Sequence, residues 1–285
     1  EISNGVVHQI NQTVSNPVNA FGAGWLTAIL AQSASVIAII ANSLVGSGVI
    51  NFKIGFYILL GLTLGNAITP VVASLILRAK SHWDLRHGFE LGLANVVYSF
   101  FLVVLIIIVE AITGFFTDSG ETIAVWADTF PAFRNIPSLI DVVTEPVMNI
   151  FFIDSWPTII TFITAVLLLV FSLQRVGRSM FIFMGGRRHT RAIIEKFLKT
   201  HWRGFFIGLG LTIIIPSASL LVTLLVPLAI TRIVTLRQAI PYMIGASVGT
   251  FIDVLLASFA NGEPYAIAGG IVLTMLSAFG VIFII

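Results

Sequence analysis

The chain has 285 residues, 57% hydrophobic and only 10% charged, with a mean hydropathy of +1.03. Soluble domains carry about a quarter charged residues, so this is an all-α integral membrane protein, with apolar runs of helical length rather than alternating strands. The absence of cysteine excludes disulfides and thiolate metal sites, and the net charge of +2 says nothing of nucleic acid, because the basic residues are grouped by membrane side.

Residues 1–20 read as a loop or short helix. No charge occurs between Glu1 and Lys53, so the apolar stretch Phe21–Val45 belongs in a bilayer. It nevertheless carries Gln32-Ser33-Ala34-Ser35, and polar groups at membrane depth are costly unless they line a protein-bounded cavity. Charge-free runs follow at 54–77, 91–109, 155–174, 204–231 and 264–285, and 238–262 is interrupted only by Asp253.

The loops set the sidedness. Arg78, Lys80 and Arg86 cluster in one, and Arg175, Arg178, Arg187, Arg188, Arg191, Lys196, Lys199 and Arg203 in another, which places both inside. The second should lie on anionic headgroups. Residues 114–156 hold Arg134 as their only Lys or Arg, which fits the outer side. Residues 204–231 then start inside, at Arg203, and return inside before Arg232 and Arg237. They must form a re-entrant hairpin, with legs of about 15–18 Å at ~1.5 Å per residue, half of a ~30 Å core.

An internal repeat completes the organisation. At an offset of 184, Gly24 falls on Gly208, Ser33-Ala34-Ser35 on Ser217-Ala218-Ser219, Gly61 on Gly245, and Gly65 on Gly249. The copies have opposite predicted topology, an arrangement of secondary transporters. The first repeat, 1–113, holds a hairpin at about 21–46 and spans at about 54–77 and 88–113, with a leading span expected before residue 1. An acidic connector, 114–156, follows. The second repeat, 157–285, holds a span at 157–175, the basic segment 176–203, a hairpin at 204–230, and spans at 238–260 and 265–285.

Each repeat has two expected interruptions, the hairpin tip and a glycine-rich break at Gly61–Pro70 or Gly245–Thr250. Glycine allows unwinding, and Thr69-Pro70 reads as the N-cap and first-turn proline of a restarted half-helix. Half-helix N-termini offer N–H groups to an anion, and freed carbonyls and hydroxyls offer oxygen to a small hard cation. The alternative use of Gly and Ser is at close helix crossings. The candidate binding residues are Gln32, Ser33, Ser35, Thr63, Asn66, Thr69, Ser217, Ser219, Ser247, Thr250 and Asp253. Ser33, Ser35, Thr63, Ser217, Ser219 and Asp253 are the candidate Na⁺ ligands. Asp253 is the one acid deep in a span and a functional candidate by default. Glu90 and Glu110 read as interface residues, and Asn95 and Ser99 as groups that bond their neighbours or reach the site.

These residues resemble the type II sodium–phosphate cotransporter family, whose marks are a Gln-Ser-Ser-Ser element in each of two inverted repeats, followed about thirty residues later by Gly-Ala-Asn-Ile-Gly-Thr. Here the order is Gln32-Ser33-Ala34-Ser35, then Gly61-Leu62-Thr63-Leu64-Gly65-Asn66, and Pro216-Ser217-Ala218-Ser219, then Gly245-Ala246-Ser247-Val248-Gly249-Thr250. The resemblance implies sodium-driven uptake of inorganic phosphate by alternating access, with serines and glycine-rich segments around both solutes. The chain departs from the pattern at Pro216, Ala34, Ala218, Thr63 and Ser247, and a His and an Asn of the family are replaced by Asn95 and Ser99.

The expected function is therefore sodium-coupled symport of phosphate or a similar small anion. The protein would be multi-pass in the cell membrane, with Na⁺ as coupling ion, no other cofactor and no nucleic-acid partner; a homo-oligomer stays open. The alternatives are a transporter or channel for another ion on the same fold, and a transport-inactive scaffold or sensor. An enzyme is not expected, because no paired carboxylate, activated nucleophile or metal cluster stands at depth.

Overall fold

A computed structural model describes residues 13–31, 34–76, 82–129, 196–215, 217–261 and 263–284, together with 164, 192 and 194. The described residues are helical and include no strand. The helices are α1 (Pro17–Ala31), α2 (Ala34–Gly46), α3 (Phe52–Asn66), α4 (Thr69–Ile76), α5 (His82–Thr113), α6 (Phe115–Asp128), α7 (His201–Ile214), α8 (Ala218–Ile230), α9 (Leu236–Asn261) and α10 (Pro264–Gly280), closed by a 3₁₀ turn at Val281–Ile284. Among the described residues three segments are long and apolar enough to cross a membrane: Phe52–Ile76, Arg86–Thr113 and Leu236–Leu256. Shorter apolar helices stand at Pro17–Ala31, Ala218–Ile230 and Pro264–Gly280. The expected span 157–175, most of the basic segment 176–203 and the connector beyond residue 129 lie outside the described residues.

The helix boundaries follow local chemistry, and they recur at the offset seen in the sequence. Asn16 accepts from Asn19 N at 2.9 Å to start α1, and Thr200, 184 positions on, accepts from Arg203 N at 3.4 Å to start α7. Both are N-caps. Helices α2 and α8 run over equivalent residues, and α3 and α9 begin at equivalent ones. Each second helix also ends alike. Gly48 and Arg232, again 184 apart, both take a positive φ, +72° and +55°. Their neighbours close the helix with Val49 N donating to Leu44 O and Ile233 N to Leu228 O, the left-handed termination that satisfies the last carbonyls.

Packing repeats too. Helix α1 packs chiefly on α3 and α7 chiefly on α9, while the legs α1–α2 and α7–α8 touch each other little. A Cβ on Gly24 would stand 2.0 Å from Ile58 O, and one on Gly208 would stand 2.2 Å from Tyr242 O, the equivalent atom. Gly61 meets Phe21 O and Gly245 meets Phe205 O, both at 2.0 Å. Only glycine lets these backbones approach so closely.

That use of glycine corrects two expectations. Helix α9 runs unbroken through Gly245–Thr250, so there is no unwound segment there. In the first copy the helix does stop, but at Ala67-Ile68, after the glycines. Thr69 does not cap α4: it is buried and its hydroxyl has no partner among the described residues. The glycines serve contact, and the interruption belongs to one copy.

A third correction concerns Glu110, at the end of α5 where the connector starts. The first part of the connector is a helix, α6, entered through Gly114 at φ +62°. Glu110 is buried rather than interfacial: its carboxylate accepts from Phe116 N at 2.9 Å and from the Thr117 hydroxyl, capping α6 from the preceding helix. The buried stripe Phe116, Gly120, Ala124 and Ala127 turns α6 against α10, a helical period that the acidic composition of 114–156 conceals.

Candidate functional site

The starts of α2 and α8, the last turn of α3 and the middles of α5 and α9 line a cavity of about 30 Å³. That is room for a water or a small ion. Ala34 and Ala218, the first residues of α2 and α8, both line it, as does Ser219. Thr63 and Asn66 come from α3, and Ser247 and Thr250 from α9. Asn95, Tyr98, Ser99 and Leu102 complete the wall from one face of α5. Both copies of the repeat contribute equivalent residues to one place: Ala34 with Ala218, Thr63 with Ser247, and Asn66 with Thr250.

The hydroxyls are held in a defined sense. Thr63 Oγ1 donates to Leu59 O at 2.9 Å, and Ser247 Oγ donates to Met243 O at 3.0 Å. A hydroxyl has one proton, so each presents lone pairs to the cavity. Thr250 Oγ1 accepts from Ala218 N at 3.0 Å, which ties the start of α8 to α9. In the first copy the equivalent acceptor, Asn66 Oδ1, is buried and without a partner among the described residues. Ser217 caps α8, receiving Leu220 N at 3.3 Å, and lies 3.4 Å from Ser219 Oγ. Asn95 Nδ2 donates to Ala67 O at 3.2 Å, satisfying the carbonyl freed where α3 stops.

Five of the residues expected from the sequence therefore line the cavity: Thr63, Asn66, Ser219, Ser247 and Thr250. Ser217 stands beside it as a cap, and Thr69 is buried but not in the lining. Gln32 and Ser33, and the side chains of Ser35 and Asp253, lie outside what the structure describes. Asn95 both lines the cavity and bonds a neighbour, and Ser99 lines the cavity. Tyr98 was not anticipated. It falls between them on the stripe 95, 98, 99, 102, the helical spacing that could have found it, and a Cβ on Gly280 would stand 2.1 Å from its hydroxyl.

A family profile described as "Na+/Pi-cotransporter" matches residues 2–127 and 168–283, so the match runs through both halves of the cavity. The chain belongs to the Na⁺/Pi-cotransporter family. Among curated relatives it is 28% identical over 143 residues to the sodium-dependent phosphate transport protein 2A of Rattus norvegicus, and equally so to that of Mus musculus. The protein of the same name from Ovis aries is 27% identical over 142 residues. Each alignment covers 50% of this chain and 22% of the relative, so the matched part is about a fifth of those proteins. No solved structure matches the chain significantly. For a Na⁺/Pi-cotransporter family member the setting is a membrane, which the long apolar helices independently require.

Proposed function

We propose that the chain forms the binding core of a sodium-coupled symporter for inorganic phosphate or a closely similar small anion. The observation that carries this reading is the small cavity built from equivalent residues of both repeat copies, in a chain of the Na⁺/Pi-cotransporter family. In the proposed division of labour, Thr63, Ser247 and Asn66 Oδ1 offer oxygen lone pairs to Na⁺, joined by Ser33, Ser35, Ser217 and Asp253. The anion takes N–H groups at the starts of α2 and α8, where each helix terminus carries about half a positive charge. Ser219, Ser99 and the free amide hydrogen of Asn95 add donors, and Gln32 stands at the first tip.

The two repeats would lie inverted in the cell membrane, with α1–α2 and α7–α8 as hairpins that enter from opposite faces and meet at the cavity. At ~1.5 Å per residue the 13-residue helices α2 and α8 are about 20 Å long, short of a ~30 Å core. A cavity with room only for a water or a small ion requires one tip to withdraw before a larger solute such as phosphate can enter. In the second copy the Ala218–Thr250 hydrogen bond must open for that; the first copy has no such bond among the described residues. Alternating access then consists in moving one tip at a time.

Among the described residues the lining includes no Lys or Arg, so phosphate would rest on neutral donors, and another small oxyanion is the second reading. Proteoliposomes with an inward Na⁺ gradient should accumulate labelled phosphate and lose that uptake when K⁺ replaces Na⁺. Phosphate uptake indifferent to Na⁺ would refute the coupling, and sodium-driven uptake of another small oxyanion in preference to phosphate would reassign the substrate.

A further inference from the structure

Away from the core, the starts of α7 and α9 face a second, open cavity of about 560 Å³, lined by Lys199, Thr200, His201, Thr235, Arg237 and Gln238 above Leu198. Among the described residues none of those lining it is acidic. Among the described residues neither Lys199 nor Arg237 makes an ion pair. Thr200 caps α7, and Thr235 is held through its N–H and its hydroxyl by Gln238 Oε1, at 3.0 and 2.9 Å. Two fixed helix starts thus add their unpaired first-turn N–H groups to the field of the cations.

The repeat supplies a control for whether the fold requires this charge. Moved back by 184, Lys199, Thr200, His201, Thr235, Arg237 and Gln238 become Ser15, Asn16, Pro17, Asn51, Lys53 and Ile54. The first copy builds the same two helix starts, capped by Asn16 and by Asn51, with one cation in place of two and a proline in place of the histidine. The backbone arrangement therefore does not need Lys199 or His201; their charge is an addition on one side. Exposed Trp202 and Phe206, stacked with centroids 6.2 Å apart, follow His201 on α7, and tryptophan is enriched at headgroup depth.

We infer that this cavity binds a phosphate group, with Lys199 and Arg237 as its principal cations and His201 and the helix starts as further donors. An anionic phospholipid headgroup and free inorganic phosphate share that chemistry. The test is thermal unfolding of the purified chain in Na⁺-free buffer, where the proposed sodium-coupled core site is not loaded. It is titrated with dioctanoyl phosphatidylglycerol, with dioctanoyl phosphatidylcholine, or with inorganic phosphate.

The wild type should be stabilised by the phosphatidylglycerol or by the phosphate, and not by the phosphatidylcholine; whichever acts identifies the source. Each lost cation should weaken the apparent affinity about fivefold, and K199Q/R237Q about 25-fold. K199R/R237K should bind as the wild type, and so should K53Q, which removes the one cation at the equivalent place of the first copy. If the double variant does not fold, R237Q alone carries the fivefold test. Unchanged binding by the glutamine variants, an equal loss in K53Q, or a wild type stabilised by neither probe would overturn the inference.

Discussion

Gly245→Ala tests whether the glycines of α9 serve contact or unwinding. The new Cβ would stand 2.0 Å from Phe205 O, 2.8 Å from Phe205 C and 3.0 Å from Leu209 N, all backbone atoms of α7. Optimal non-bonded separations are about 3.5–4.0 Å, so α7 and α9 must part by roughly 1 Å or more. They form the most extensive helix pair in the structure. Overpacking of this kind costs about 1–3 kcal/mol and occasionally more, against a gain of about 0.5–1 kcal/mol for replacing a helical glycine by alanine. A net loss of about 1 kcal/mol lowers Tm by about 2–4 °C, taking roughly 2–4 °C per kcal/mol for a large domain. Gly210 is the control, because its Cβ would meet nothing within 4 Å, and Gly210→Ala should leave Tm unchanged or raise it. The assay is fluorescence-detected thermal unfolding in detergent, followed by uptake, since a displaced α9 also displaces Ser247 and Thr250. A Gly245→Ala protein that melts with the wild type would refute the contact reading and restore a flexible segment at this position.

Three other perturbations separate the roles of the polar residues. Ser219→Val should abolish uptake while leaving Tm within a few degrees of the wild type, because a cavity of about 30 Å³ has no space for added methyl groups; full transport would take Ser219 out of the site. Ser217→Ala should instead cost about 1 kcal/mol of stability through loss of the α8 cap, and a larger effect on uptake than on Tm would mean that Ser217 touches a solute. Glu110→Ala leaves two N–H groups of α6 without their acceptor, while the Thr117 hydroxyl keeps Gly114 O at 3.2 Å. About 1–3 kcal/mol should be lost for the buried groups, and a variant as thermostable as the wild type would show that water replaces the carboxylate.

The sequence disclosed the site more fully than the path of the backbone. The offset of 184 paired Thr63 with Ser247 and Asn66 with Thr250, and the cavity holds all four. A repeat reveals equivalence, and equivalent residues of two copies that meet at a shared axis must come together. Composition could not say what the glycines do, because unwinding and close approach call for the same residue; the neighbouring chain decides, and Phe21 and Phe205 carbonyls lie against Gly61 and Gly245. Thr69-Pro70 likewise reads as a cap in isolation, yet Val71 N and Val72 N bond to Ile68 O, one residue earlier. Helix α6 went unread because acids spaced along 114–128 look like a loop until the buried face of Phe116, Gly120 and Ala124 is seen against α10. Tyr98 was missed because a buried tyrosine in an apolar span carries no polar signal of its own.

The two copies are most informative where they differ. A repeat that were fully symmetric would present the same tip to both sides, and both tips would hold or release on equal terms. Thr250 and Asn66 break that equality: the threonine hydroxyl accepts from the start of α8, whereas the asparagine oxygen at the equivalent place has no partner among the described residues. An amide oxygen buried without a partner is costly by about 1–3 kcal/mol, and coordination of a cation in the cavity removes that cost. The tie on α8 costs about as much to open, since the Ala218 N–H would lose its acceptor. On the proposed reading, ion occupancy at Asn66 and release at Thr250 are opposing terms of similar size. Binding on one side can then offset opening on the other, which is the energetic relation that coupled transport requires.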